Sequence, residues 1–129
     1  PERGPNGAQR LPDDRTHGEL VHDVLIACNR LPGVFLFPTA VVRVPGWGAT
    51  RGMTGTPDIL GWREHGIVSA TRSPLISETA PCPRFVALEC KVGRDQLRPL
   101  QRAFLDRVRQ AGGIAGEVRE VMDAVRLLQ

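Results

Sequence analysis

The sequence predicts an α/β protein in which a small mixed β-sheet is flanked by helices. Three patterns carry this prediction: an apolar helical stripe near the N-terminus, a run at 85–88 that is apolar on both faces, and two helical patterns around a short strand near the C-terminus. The predicted order is helix, three or four strands, helix, strand and helix. Residues 1–12 are rich in turn formers and predict a flexible tail, which leaves a single domain over 13–129.

The first two elements are a helix and an extended segment. A helix is predicted from about Thr16 to Arg30, because apolar residues recur at helical spacing at Leu20, Val24, Ala27, Cys28 and Leu31. The Pro32-Gly33 pair ends this helix. An extended segment is predicted over 34–44, and Pro38 within it favours an edge strand or a bulge.

The middle of the chain is rich in glycine and other turn formers. Residues 45–57 predict a glycine-rich loop, which leads into a short apolar strand at 58–62. A hairpin turn is then predicted at 63–66, and a polar surface stretch at about 71–83.

Regular structure resumes with the strand at 85–91. A helix is predicted to begin at Pro99, since proline suits the first helical position, and to end at the Gly112-Gly113 pair. A short strand over about 114–119 and a helix over 121–128 complete the predicted order.

Composition narrows the class of protein. A net charge of +3 permits nucleic-acid binding without requiring it. Three cysteines without Cys-x-x-Cys spacing argue against a disulfide framework and a zinc knuckle, and no secretory signal is evident, so a reducing cytoplasm is the expected compartment. Tyrosine is absent and aromatic residues make up 5% of the chain, so a base-stacking platform is not expected.

Lys91 is the only lysine among 17 basic residues. A compact ammonium has been kept at one position in a chain that uses guanidinium groups elsewhere. In an extended strand Glu89 and Lys91 point to the same face, and both faces of the strand before them are apolar. The pattern predicts a buried central strand that delivers a carboxylate and an ammonium to the edge of the core.

Asp58 precedes the strand at 58–62 and is the natural partner of this pair. If the two strands are adjacent, Asp58 and Glu89 supply carboxylate ligands for Mg²⁺ or Mn²⁺, and the backbone carbonyl of Cys90 offers a third oxygen. Lys91 would then act on the attacking water or on the charge that builds up on a phosphate. Asp58 could instead end a turn through a side-chain hydrogen bond.

These residues resemble the PD-(D/E)xK nuclease superfamily, with Gly55-Thr56-Pro57-Asp58 as the first motif element and Glu89-Cys90-Lys91 as the second. The segments Leu97–Leu105 and Ala111-Gly112-Gly113 and the helix beginning at Val121 are similar to its VRR-NUC branch. The resemblance covers roughly residues 16–128 and is specific as a combination. It implies a restriction-endonuclease-like core with the element order αβββαβα.

The resemblance also implies an activity. It suggests a stand-alone, Holliday-junction-resolvase-like endonuclease that depends on Mg²⁺ or Mn²⁺ and acts as a homodimer on branched DNA, in the cytoplasm of a bacterial or phage-infected cell. Asp58, Glu89 and Lys91 would form the catalytic set, Gln101 would orient it, and Glu19 could join the metal site. Arginines that could contact DNA are Arg43, Arg51, Arg94, Arg98 and Arg102.

The chain departs from the family pattern at two places. Pro38-Thr39-Ala40 stands where an arginine and asparagines are common, so Arg43 or Arg51 would have to replace that phosphate contact. Arg98 stands before Pro99 where a capping serine is expected, which bears on the stability of the helix.

Several alternatives remain open at this stage. Glu19 lies in a Thr-x-x-Glu capping box and could simply satisfy the helix start. Gln101 falls within an apolar helical stripe and could be bonded to a backbone carbonyl. The whole chain could be a non-catalytic nucleic-acid-binding module, a flap-type nuclease or a phosphatase-like hydrolase of small substrates.

Overall fold

The computed structural model describes residues 15–39, 42–44, 48–50, 55–67 and 81–129. Its elements, in chain order, are α1 (His17–Asn29), β1 (Val34–Pro38), β2 (Val42–Val44), β3 (Gly48–Thr50), β4 (Ile59–Ile67), β5 (Pro81–Cys90), α2 (Pro99–Gln110), β6 (Ile114–Val118) and α3 (Val121–Leu128). Apart from the two-stranded β2–β3 ribbon, this order is αβββαβα, and the predicted fold class is confirmed. The predicted tail at 1–12 lies outside the described residues.

The main sheet has four strands in the order β1-β4-β5-β6. β1 and β5 both pair antiparallel with β4, whereas β6 pairs parallel with β5. β1 is an edge strand, as Pro38 predicted, because a proline cannot donate to a ladder on its far side, and the strand ends at this residue. β5 is central, and its second half is buried from Val86 onward, so the predicted buried strand is confirmed.

The helices cover the two faces of the sheet unequally. α1 and α3 pack on one face around the larger core cluster, which includes Leu20, Val24, Val86, Leu88 and Leu128. α2 packs on β5 and β6 on the opposite face, around Ala87, Leu105, Val108 and Ala115. The rest of that face carries aromatic side chains that remain exposed.

Three local predictions are wrong. The turn predicted at 63–66 is part of β4, which continues to Ile67 with a bulge after Glu64, and the end of the predicted surface stretch, Pro81–Pro83, belongs to β5. Pairing between these distant segments overrides the local turn propensity. The glycine-rich loop contains β3, which pairs with β2, so the segment after Pro38 forms two strands. Residues 71–80 lie outside the described part of the chain.

Among the helices that the structure describes, none has both the length and the apolar character needed to cross a membrane.

Candidate metal-binding active site

The pairing of β4 with β5 brings Asp58 beside Glu89. Ile59 lies opposite Leu88, so one further step of the register sets Asp58 opposite Glu89. The backbone N–H of Cys90 donates to Asp58 Oδ2 at 2.9 Å, and the N–H of Thr39 donates to the Asp58 carbonyl at 2.8 Å. Asp58 is therefore fixed from both neighbouring strands at one end of the sheet.

Gly55 allows the loop before Asp58 to lie against α2. Its φ is +88°, and a Cβ there would lie 2.7 Å from the carbonyl oxygen of Leu100. Only glycine combines this backbone conformation with such a close approach. The loop that delivers Asp58 is consequently packed against the first turn of α2.

Glu89 is a buried carboxyl group whose side chain is 4% exposed. Its Oε1 accepts a hydrogen bond from Gln101 Nε2 at 3.1 Å, while its buried Oε2 has no hydrogen-bond partner among the described residues. Burial, together with the negative charge of Asp58, raises the pKa of Glu89 to about 7, although the Lys91 ammonium acts in the opposite direction. Of the two carboxyl oxygens of Glu89, one therefore has a hydrogen-bond partner among the described residues and the other has none.

Lys91 is also buried, with 5% of its side chain exposed. Its Nζ lies 3.7 Å from Glu89 Oε1 and 3.5 Å from Asp95 Oδ2. The guanidinium of Arg119 donates to the carbonyls of Gly93 and Asp95, which holds the loop that carries Asp95. The predicted buried Glu89–Lys91 pair is confirmed, whereas no pattern in the sequence indicated that Asp95 would join it.

Gln101 links α2 to Glu89. Its Oε1 accepts the backbone N–H of Arg98 at 2.9 Å, which caps the start of α2, while its Nε2 donates to Glu89. Gln101 therefore supplies the N3 half of a capping box, whereas Arg98 makes no side-chain cap hydrogen bond of the kind that a serine would make. The partner of Gln101 at Glu89 is a side-chain carboxylate, so the alternative of a backbone carbonyl in the core is wrong.

We expect Gln101→Leu to lower the free energy of unfolding by about 1–2 kcal/mol, since it removes a helix cap and a hydrogen bond to a buried carboxylate. Urea denaturation measures this change. Gln110→Leu, at an exposed position near the end of the same helix, is the matched control and should change stability far less. Equal effects of the two substitutions would contradict the proposed link.

The first turn of α1 reaches the site through a residue that the sequence did not indicate. His17 Nε2 lies 3.0 Å from Asp58 Oδ2. Its partner is 41 residues away in the sequence, and only the fold brings the two side chains together. The side chain of His17 is 48% exposed, so it borders the site on the solvent side.

Glu19 takes part in the helix start. The backbone N–H of Glu19 donates to the Thr16 hydroxyl at 3.2 Å, and that hydroxyl lies 3.0 Å from Glu19 Oε1. The capping interpretation is confirmed by these contacts. A further role of Glu19 at the metal stays a prediction.

The other predicted residues differ in how far the structure describes them. Arg94, Arg98 and Arg102 are exposed, in the loop after Lys91 and in the first turn of α2. Arg43 is described only by its backbone in β2, and Arg51 lies outside the described residues. Cys90 is fully buried and its burial raises the thiol pKa to about 12, which suits a core residue and not a nucleophile. Its carbonyl as a ligand stays a prediction.

Three carboxyl groups and one ammonium meet in the site. Glu89 and Asp95 lie next to the ammonium of Lys91, and Asp58 lies beside Glu89. No cluster of three or more His, Cys, Asp or Glu side chains with the arrangement of a metal cage occurs among the described residues. Mg²⁺ does not need such a cage, because it keeps several waters and uses one or two carboxylates.

Comparison with known proteins gave no match: no family model, no curated protein and no solved structure is significantly similar to this chain.

Proposed function

We propose that this protein is a divalent-metal-dependent nuclease that hydrolyses phosphodiester bonds in DNA. The observation that carries the proposal is the buried carboxyl of Glu89, raised in pKa beside Asp58 and adjacent to the buried ammonium of Lys91. Burying the Glu89 carboxyl and the Lys91 ammonium is costly unless the site has a use for them. The motif resemblance of Asp58, Glu89 and Lys91 to the PD-(D/E)xK superfamily, and to its VRR-NUC branch, supports the same activity.

The residues of the site fit a hard divalent cation. Glu89 Oε2 is buried without a hydrogen-bond partner among the described residues, which is the state expected of an oxygen reserved for another ligand. Asp58 and Glu89 would hold Mg²⁺ or Mn²⁺, with the Cys90 carbonyl as a third oxygen. A bound cation of this kind supplies Lewis-acid stabilisation of the phosphoryl group.

The remaining side chains have distinct tasks in this proposal. Lys91 presents a desolvated ammonium that donates to the attacking water or to phosphoryl oxygens where negative charge develops. Gln101 fixes the Glu89 carboxylate through its hydrogen bond to Oε1. Because the same Gln101 caps α2, the orientation of Glu89 is tied to a rigid helix and not to a loop.

DNA is the substrate class that the surroundings favour. Arg94, Arg98 and Arg102 are exposed at the start of α2 and in the loop before it, next to Gln101 and Lys91. Arginine pairs well with phosphate oxygens, so these residues can hold the backbone on either side of the bond that is cut. Branched DNA such as a Holliday junction is the substrate that the family resemblance suggests.

The activity is tested by incubating the purified chain with labelled linear, flap and four-way DNA, in Mg²⁺, in Mn²⁺ or in chelator. We expect cleavage with either metal, none in chelator, and binding that weakens steeply as salt increases. Binding without cleavage in both metals would favour the non-catalytic module. Turnover of a small phosphate ester without DNA cleavage would favour the phosphatase-like alternative.

His17 provides a more selective test of the geometry. We expect His17→Ala to lower metal affinity or cleavage rate by about 10- to 100-fold, because it removes the side chain that contacts Asp58. His22→Ala is the matched control, on the same helix with a side chain 71% exposed. Both variants are measured by titrating the metal and recording the cleavage rate at each metal concentration. Equal activity of the two variants would remove His17 from the site.

A further inference from the structure

The ammonium of Lys91 lies between two carboxyl groups. Its Nζ is 3.7 Å from Glu89 Oε1 and donates a hydrogen bond to Asp95 Oδ2 at 3.5 Å. The side chains of Lys91 and Glu89 are buried, whereas the side chain of Asp95 is 55% exposed. Asp95 therefore contacts the ammonium from the solvent side of the site, opposite the buried Glu89.

The two carboxyl groups have different roles if Glu89 binds a divalent cation, as proposed above. The cation then takes up the negative charge of Glu89 and repels the neighbouring ammonium of Lys91. Asp95 is not one of the proposed metal ligands, so its carboxylate keeps its attraction for Lys91. It is the group that can hold the ammonium in place when the metal is bound.

The loop that carries Asp95 begins and turns at defined backbone contacts. The N–H of Lys91 donates to the carbonyl of Val118 at 3.0 Å, which fixes the start of the loop to β6. The N–H of Asp95 donates to the carbonyl of Val92 at 3.1 Å and closes a turn. Within this turn Gly93 has a φ of +58°, a conformation that favours glycine.

Arg119, directly after β6, holds the same loop from outside. Its guanidinium donates to the carbonyl of Gly93 at 3.1 Å and to the carbonyl of Asp95 at 2.6 Å. It also pairs with Glu117 of β6 at 2.7 Å. The backbone of Asp95 is thus attached to the edge strand of the sheet, which keeps its carboxylate next to Lys91.

We propose that Asp95 is the positioning residue of Lys91, holding its ammonium at the metal site while Arg119 holds the loop. The effect on cleavage rests on the proposed nuclease function, whereas the effect on Lys91 itself does not. The competing interpretation is an ion pair without consequence, since pairs with an exposed partner contribute little to stability. The two interpretations differ in what they predict for the motion of Lys91 and for the cleavage rate.

The motion of Lys91 can be measured without any activity. Lys91 is the only lysine, so isotope-labelled lysine gives the full chain a single set of lysine signals in nuclear magnetic resonance spectra. Relaxation of the Cε methylene group reports how rigid the end of the side chain is. We expect a rigid methylene in the unaltered chain and a mobile one in Asp95→Ala, both in chelator and with Mg²⁺.

Asp106→Ala is the matched control, because Asp106 is 51% exposed and pairs with Arg109 on α2. It should leave the Lys91 signals unchanged. Asp95→Ala should fold, since Asp95 is exposed and Glu89 remains beside Lys91. A Lys91 methylene that is equally rigid with and without the Asp95 carboxylate, in both conditions, would overturn the inference.

Cleavage of labelled four-way DNA measures the consequence for the reaction. We expect Asp95→Ala to lower kcat by about 10- to 100-fold, because a displaced ammonium no longer acts on the reacting groups. KM for DNA should change little, since the exposed arginines near α2 are unaltered. Asp106→Ala should keep both values.

Failure of this inference can be told apart from failure of the nuclease proposal. Cleavage by the unaltered chain and equal cleavage by Asp95→Ala would remove Asp95 from the reaction and leave the nuclease proposal standing. No cleavage by the unaltered chain in Mg²⁺ or Mn²⁺ would refute the nuclease proposal, and the relaxation measurement would still decide whether Asp95 positions Lys91.

Discussion

Replacing Asp58 with Asn is expected to lower the rate of DNA cleavage by about a thousandfold, because it removes one of the two carboxylates proposed to hold the metal. Asparagine keeps an oxygen that can accept the Cys90 N–H, so the end of the sheet should remain folded. DNA binding should persist, since the exposed arginines of α2 are unchanged. Cleavage assays, binding measurements and thermal unfolding together separate these effects.

The matched control for this substitution is Asp106→Asn. Asp106 is exposed on α2, where it pairs with Arg109, and it is not part of the site. Its replacement should leave the cleavage rate unchanged. Full activity of the Asp58→Asn enzyme would exclude the proposed metal site, and loss of folding would show that Asp58 has a structural role that asparagine cannot fill.

Replacing Glu89 with Gln is expected to abolish cleavage and at the same time to remove a pH-dependent loss of stability. The folded-state pKa of Glu89, about 7, is above its ordinary value of 4.5. The contribution of the Glu89 carboxyl to the free energy of unfolding is therefore fully present below pH 4.5, and it is lost as the pH rises through 7. Between pH 5 and pH 8 this loss amounts to roughly 2–3 kcal/mol in metal-free protein.

The measurement is urea denaturation of both chains at pH 5 and pH 8, in chelator. The Glu89→Gln chain should gain stability relative to the unaltered chain by roughly 2–3 kcal/mol over this range, and titrating groups that do not interact with Glu89 cancel in the difference. Glu120→Gln, at an exposed carboxylate, is the control and should show a much smaller change. A stability difference that is the same at both pH values would refute the raised pKa.

Divalent metal should reverse the sign of this pH dependence. The metal competes with the proton on Glu89, so metal binding should stabilise the unaltered chain more at pH 8 than at pH 5. The same thermal or urea measurements, repeated with Mg²⁺, check this. The Glu89→Gln chain should show little stabilisation by Mg²⁺ at either pH.

Periodicity in the sequence predicted most of the fold. The stripe of α1, the double-sided apolar run of β5 and the Pro99 and Gly112-Gly113 boundaries of α2 are local signals, and the structure has an element at each of them. The extent of β4 could not be predicted in this way. Its last residues look like a turn, and only pairing with Pro81–Pro83, far along the chain, makes them a strand.

The same distinction applies to the site. Glu89 lies in β5 and Lys91 directly follows that strand, so the alternation of faces was enough to predict their proximity. His17 and Asp95 lie on other elements, and their contacts depend on how α1 and the loop after β5 meet the sheet. The exposed aromatic surface formed by Phe35, Phe37, Trp62 and Phe85 was missed for a similar reason. The small number of aromatic residues predicted no base-stacking platform, but the register of the sheet brings four of the six aromatic residues onto one surface.

The bulge in β4 separates the site from the connection between β4 and β5. From Ile59 to Glu64 the pairing with β5 is unbroken, and the irregularity comes only beyond Glu64. An irregular step therefore separates the regular pairing that sets Asp58 opposite Glu89 from any change of length made beyond Ile67. A tag or a fluorophore inserted between residues 67 and 81 is expected to leave Asp58 and Glu89 in register.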